Sequence, residues 1–271
     1  MLFAVQRGSL PFVTAIFVMN TTPKSAVLRV LSYNIHKGVR GMGPARRLEI
    51  HNLRTAIGRL DADLVCLQEV RKLNRREAQF FSHWPTQGQA DFLAPQDYHA
   101  IYQTNAYTRH GEHGNALLSR WPVVAQLHED ISDHRFEQRG LLHSKVQIAG
   151  AIVHVLVLHL GLLRGGRIRQ LQQVCAYIQR EIAQSESVIV AGDFNEWNAS
   201  VRKVLADVGL LAPTTHAMPT FPSNMPLLAL DHIYTRGLQP VGQHVPHGPQ
   251  WARLSDHLPL VAEFVMPRST R

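Results

Sequence analysis

"VIVAGDFNEW", residues 188–197, runs from β-branched apolar residues straight into Gly-Asp-Phe-Asn. The run reads as a buried strand, yet it ends in a carboxylate and an amide. Side chains alternate faces along a strand, so Asp193 and Asn195 project to one side and Phe194 to the other. Gly, Asp and Asn are also ordinary turn residues, and a plain strand stop would explain this stretch taken alone.

Further out, the pattern recurs. "LSYNIHKG" brings its strand to Asn34, "VCLQEV" to Glu69 and "HVLVLHLG" to His159, while "LALDHIY" opens in Asp231. "LSDHLPL" places Ser255, Asp256 and His257 just before the last apolar run. Singly, Glu69 could cap a loop and His159 could be a hydrogen-bonded core histidine. Buried ionisable groups are costly unless they meet a metal or one another, so the repetition points to convergence at one place.

Strands are predicted at 26–35, 63–70, 99–103, 115–119, 139–146, 151–159, from 188 onward, and at 230–235 and 259–265. Ile50, Leu53, Ile57 and Leu60 recur at helical spacing. So do Ile168, Leu171, Cys175, Ile178 and Ile182 in a helix predicted over 167–183, and a short helix is predicted near 201–208. Residues 82–96, with Pro85, Gly88 and Pro95, read as a loop, and a Pro-rich loop runs to Pro226. Strands outnumber helices and often follow one another directly, which argues against the strict alternation of a Rossmann fold or TIM barrel. Two packed sheets with helices outside fit better. No repeat, low-complexity tract or linker divides the chain, so residues 26–267 are expected to form one domain.

The chain has 271 residues, 45% apolar and 18% charged, enough to bury a large core. Its formal net charge of +8 suits a polyanionic partner, nucleic acid or an acidic membrane surface, although the basic residues are widely spread. "RKLNRR" (71–76), just after Glu69, reads either as a DNA contact or as a solvated helix face. Cys66 and Cys175 are the only cysteines and read as reduced core residues, which removes a disulfide framework and a cysteine-based metal site. "LPFVTAIFVM" (10–19) is too short to span a bilayer, which takes about 20 apolar residues. No A-x-A cleavage site follows it. Residues 1–25 are therefore expected to be an extension, with translation starting at Met19 and the product cytoplasmic rather than exported.

The strand-end residues limit the chemistry. Asn34, Glu69, Asp193 and Asp256 are hard oxygen donors, suited to Mg²⁺ or Mn²⁺ rather than Zn²⁺. No G-x-S-x-G or H-E-x-x-H occurs, and no Walker A or G-x-G-x-x-G follows a strand. Oxygen donors, two histidines and an Asp–Asn pair fit hydrolysis of a phosphate ester.

The ordered blocks "SYNIHKG", "LQEV", "GNALLSR", "HLGL", "AGDFNEW", "LDHIYT" and "LSDHLPL" resemble the endonuclease/exonuclease/phosphatase superfamily, that of deoxyribonuclease I and exonuclease III. The likeness runs from about residue 28 to 265, and "NIHKG", "EHGNALLSR" and "HLGL" further resemble the bacterial YbhP-like group. It implies an α/β fold: a four-layer sandwich of two mixed β-sheets flanked by helices. It implies Glu69 as the principal Mg²⁺ ligand, with Asn34 beside it and Asp256 opposite. Asp193 would orient or deprotonate the attacking water, and Asn195 would hold phosphate oxygens. His257, its tautomer fixed by Asp231, and His159 would contact the scissile phosphate. Asn115 and Arg139 would be substrate contacts. His36 stands where abasic-site endonucleases carry an Asp near the metal, and it either lines the site or does not. His154 and His232 are expected to face away.

The activity expected is therefore a Mg²⁺- or Mn²⁺-dependent hydrolase of phosphodiester, or phosphomonoester, bonds, nuclease-like on DNA or RNA. A phospholipid or sphingomyelin phosphodiesterase and an inositol-type phosphatase are the alternatives, and a non-catalytic scaffold is a third reading. Fold and motif fix the chemistry at phosphorus, not the leaving group.

Overall fold

The computed structural model describes residues 27–196 and 200–266; the expectations for the N-terminal extension and its start codon lie outside them. The strands are β1 (Val27–Asn34), β2 (Val39–Arg40), β3 (Arg47–Leu48), β4 (Leu64–Val70), β5 (His99–Thr108), β6 (Gly111–Ser119), β7 (Val123–Asp130), β8 (Gly140–Ile148), β9 (Ala151–His159), β10 (Ser187–Asp193), β11 (Asp231–Arg236), β12 (Pro240–His244) and β13 (Leu260–Val265). The helices are α1 (Ile50–Leu60), α2 (Arg75–Phe80), α3 (Gln89–Leu93), α4 (Arg164–Glu181), α5 (Ser200–Ala206) and α6 (Pro249–Ala252).

A six-stranded sheet, β12-β13-β1-β4-β6-β5, stacks on a five-stranded one, β11-β10-β9-β8-β7, and both are mixed. Alternation supplies the interface between them. Leu28 and Val30 of β1, Leu64 and Cys66 of β4, Val153, Val155 and Val157 of β9, and Ile189 and Ala191 of β10 form one shared core. The outer face of the first sheet takes Ile50, Leu53 and Ile57 of α1 with Trp251 of α6. That of the second takes Leu171, Val174 and Ile178 of α4 with Leu205 of α5. Each fully buried Val, Leu or Ile among them contributes about 1.5–3 kcal/mol. The result is the four-layer α/β sandwich expected from the sequence.

Several local expectations are corrected. The buried stripe of α4 runs through Arg167, Gln170, Leu171, Val174, Tyr177 and Ile178, so Ile168 and Cys175 lie at its flank. The predicted loop 82–96 contains α3, whose Ala90 and Leu93 are buried. β7 and β12 are edge strands absent from the prediction. Cys66 and Cys175 are free thiols, and burial pushes Cys66 up to about 12 and Cys175 up to about 11.

Candidate active site

Strand direction assembles the site. β1, β4, β9 and β10 end at one edge of the sandwich, where their antiparallel partners β6, β8, β11 and β13 begin. Asn34 continues the inner-facing register of Leu28 and Val30, His159 that of Val155 and Val157, and Asp193 that of Ile189 and Ala191. Apolar packing below therefore aims polar side chains at the top of the same cleft. Gly192 lets β10 lie close to β9, because a Cβ there would strike the Leu158 carbonyl.

Asp193, 1% exposed, is the hub. Its Oδ1 accepts the Asn195 backbone N–H at 2.9 Å, and its Oδ2 accepts the Asn34 amide at 3.0 Å. His159 Nε2 and His257 Nε2 stand 3.5 and 3.6 Å from the same Oδ2. Asn195 leaves the strand with φ +50°, and its amide donates to the Leu160 carbonyl at 2.9 Å, beside His159 Nε2 at 3.2 Å. His257 Nδ1 donates to Asp231 Oδ2 at 2.8 Å, and the Thr220 hydroxyl donates to that oxygen at 2.6 Å.

Across the cleft, a bulge in β4 and a φ of +56° re-aim Glu69, which simple alternation would leave on the outer face. Lys37 Nζ lies 2.6 Å from Glu69 Oε2 but outside hydrogen-bond geometry, so this buried oxygen has an electrostatic neighbour and no aligned donor. His36 Nδ1 pairs with Asp256 Oδ2 at 3.0 Å, and its backbone N–H donates to Asn34 Oδ1 at 3.0 Å. Among the described residues, four of the seven non-glycine residues with positive φ are His36, Lys37, Glu69 and Asn195, all within this site. Backbone strain of that kind is held only where surrounding contacts over-determine it.

The two imidazoles are driven apart. Burial alone would lower His257, but the Asp231 and Asp193 carboxylates outweigh it and raise it to about 10. His159 goes the other way: burial dominates, Arg139 adds to it, and the group falls to about 4 despite Asp193. At neutral pH the cleft thus holds one imidazolium and one neutral imidazole. Burial would raise Glu69, yet His159, Lys37 and His36 hold it well below the usual carboxylate range. Asp256 is also lowered: the His36 contact overcomes its burial.

Two donor groups could hold a metal. Asn34, Glu69 and Asp256 offer oxygens only, and the misaligned Glu69 Oε2 is a buried acceptor that a hard cation would satisfy. Asp193, Asp231 and His257 bring their donor atoms within 4.8 Å of one another. In that second group His257 Nδ1 is bonded to Asp231 at 2.8 Å and its Nε2 faces Asp193 at 3.6 Å, so an ion there would have to displace a ring proton. The oxygen set is the better fit to Mg²⁺ or Mn²⁺.

Arg139 reaches the cleft edge, where Glu137 holds its guanidinium at 3.2 Å. Asn115 does not reach the cleft surface. Its fully buried amide donates to the Gly140 and Val157 carbonyls at 3.0 and 3.1 Å, tying the two sheets together instead of facing a substrate. His154 faces α4 and bonds His143 at 2.9 Å, while His232 packs on Phe194 and Tyr234, both away from the cleft. The 71–76 run divides: Arg71 turns to Glu77 at 3.6 Å, whereas Arg75 and Arg76 lie exposed on α2. Sequence reasoning missed Lys37, Thr220 and the buried Arg167–Glu196 pair at 3.2 Å, which ties the start of α4 to the segment after β10. Lys37 lay inside a quoted block; nothing in "PTFPS" singled out Thr220.

Comparison with known proteins agrees with this architecture. The model of a family described as the Endonuclease/Exonuclease/phosphatase family matches residues 31–257. The protein named "Uncharacterized protein YbhP" of Escherichia coli K12 is 36% identical over 244 residues, covering 87% of this chain and 95% of that protein. The crystal structure of an endonuclease/exonuclease/phosphatase from Beutenbergia cavernae superposes with a TM-score of 0.71 at 21% identity, over 89% of this chain and 72% of that one. A mannosyl-6-phosphatase of Bacteroides thetaiotaomicron gives 0.65 at 17% identity, over 88% and 100%.

Proposed function

The chain belongs to the endonuclease/exonuclease/phosphatase family, and from that premise we propose that it is a metal-dependent hydrolase of phosphoric esters, acting on a phosphodiester. The observation that carries the reading is His257, held by Asp231 at 2.8 Å and facing Asp193 at 3.6 Å. Asp193 orients the attacking water and receives its proton while Asn34 and Asn195 fix the carboxylate. As the P–O bond forms, negative charge grows on the phosphoryl oxygens; the His257 imidazolium, the Asn195 amide and Arg139 meet it. As the bond from phosphorus to the leaving oxygen breaks, the His257 imidazolium gives that oxygen a proton, and neutral His159, 3.5 Å from Asp193 Oδ2, takes the water's proton on from the carboxylate. A Mg²⁺ or Mn²⁺ ion held by Asn34, Glu69 and Asp256 would supply Lewis-acid stabilisation of the same charge.

Nuclease-like cleavage of DNA or RNA is supported by the net charge of +8. A second reading, cleavage of a phospholipid diester, is favoured by exposed Phe136, Leu162 and Leu163 beside the cleft. Turnover of bis-p-nitrophenyl phosphate with Mg²⁺ or Mn²⁺, abolished by EDTA and restored by the ion, tests the chemistry. Full activity in EDTA, or none with either ion, would overturn it. Among the described residues no helix is long and apolar enough to cross a membrane.

A further inference from the structure

Two loops at the rim of the cleft expose large apolar side chains. Phe136, between β7 and β8, is 83% exposed, and Leu162 and Leu163, between β9 and α4, are 68% and 66% exposed. The loops form one surface: Glu137 accepts the Leu162 backbone N–H at 3.1 Å, and Arg169 pairs with Asp133 across them at 2.7 Å. They are also held from beneath. Gln170 accepts the Gly161 N–H at 2.8 Å, Arg167 donates to the Gly161 and Leu162 carbonyls, and Ile131 and Ser132 are bonded to Arg139. These side chains point outward from a fixed platform.

Their surroundings are cationic. Residues 131–139 and 160–169 contain five arginines against Asp133 and Glu137. Arg139, Arg167 and Arg169 are engaged by Glu137, Glu196 and Asp133. Arg135 and Arg164 are exposed and have no carboxylate partner among the described residues. The Arg135 guanidinium lies over the Phe136 ring, 4.7 Å from its centroid.

We propose that this rim docks the active site on an anionic phospholipid bilayer. Phe136, Leu162 and Leu163 enter the boundary between headgroups and acyl chains, and Arg135 and Arg164 meet lipid phosphates. The proposal rests on the phospholipid reading above. Apolar side chains beside unpaired cations are the composition an anionic interface selects. Adjacent exposed leucines offer a nucleic acid neither charge nor a π-face. A two-fold contact with a second copy would set these arginines against their own counterparts. The rim also sits at the chemistry: the Leu160 carbonyl, next to Gly161, is held by the Asn195 amide, so a surface seated on these loops lies over His159 and Asp193.

The test is co-sedimentation with vesicles of phosphatidylcholine alone or mixed with phosphatidylglycerol. The wild-type chain is expected to bind the mixed vesicles and to leave the neutral ones largely in solution. F136S/L162S/L163S should bind at least about tenfold more weakly. R135Q/R164Q should lose most of the preference for phosphatidylglycerol and the salt sensitivity that goes with it. Both variants should keep the wild-type melting temperature and bis-p-nitrophenyl phosphate turnover. No binding of the wild type to mixed vesicles, or wild-type binding by the triple variant, overturns the proposal. So does a dimer seen by light scattering that the triple variant abolishes without any vesicle binding. Vesicle binding without phosphodiester turnover would leave the docking surface standing and remove the proposed chemistry.

Discussion

Lys37 Nζ stands 2.6 Å from Glu69 Oε2, so one side chain of this molecule already neutralises the carboxylate best suited to a divalent cation. Any ion arriving at Glu69 must displace that ammonium or share the oxygen with it. Neighbouring charges at this range move binding equilibria by about one to three decades. K37M is therefore expected to raise Mn²⁺ affinity about tenfold, E69Q to lower it, and K37R to resemble wild type. Mn²⁺ titration followed by electron paramagnetic resonance reads this without turnover; unchanged affinity in K37M would show that Lys37 is no competitor.

Asp231 and His257 form the second testable pair. D231N keeps the shape around the Thr220 hydroxyl but withdraws the charge that raises His257 to about 10. The His257 imidazole should titrate markedly lower by NMR, and kcat should fall by roughly 10²–10⁴, the scale of losing a positioned acid–base group. An unchanged kcat alongside a shifted His257 would make the pair structural.

At Asp193, D193N preserves the turn that Asp or Asn serves equally well and removes the base. The rate is expected to drop by at least about two orders of magnitude. The melting temperature should not rise, because His257 loses a counter-charge 3.6 Å away. Wild-type turnover would return "AGDFN" to an ordinary strand stop.

Away from the site, His143 is buried between the Tyr177 hydroxyl and His154, each at 2.9 Å, and burial with the neighbouring His154 pulls it down to about 4. Its folded value lies below its unfolded value of about 6.5, so the unfolded chain binds the proton first. The contribution is complete above pH 6.5 and lost as the pH falls toward 4, about 2 kcal/mol of it between pH 7 and pH 5. Urea unfolding across that range should show the decline, and H143Q should flatten it; a parallel decline in H143Q would place the effect elsewhere, with buried His159 the next candidate.

The legible parts of this molecule share one physical trait: apolar runs long enough to be buried on both faces. β1, β9 and β10 announce themselves by such runs, and their strand ends deliver Asn34, His159 and Asp193 in register. β7 and β12 are edge strands with more than half of their positions exposed, and edge strands need no apolar signature. Glu69 was legible as a residue but not as a direction, because a bulge is one extra backbone residue that leaves no mark on composition. Asn115 shows the converse. The family resemblance implied a substrate contact there, whereas its amide N–H groups donate to two carbonyls of the facing sheet.

The left-handed backbone at His36, Lys37, Glu69 and Asn195 has a consequence for anyone engineering thermal tolerance. A non-glycine residue in that conformation holds back about 1 kcal/mol or more, so glycine at these positions is the obvious stabilising substitution. A screen scored on melting temperature alone would enrich such changes, yet E69G and N195G delete side chains of the site itself, and H36G and K37G remove the partners of Asp256 and Glu69. Hardening should begin in the loops on the far edge of the sandwich, where Asp61 and Ala149 show the same conformation with no catalytic duty.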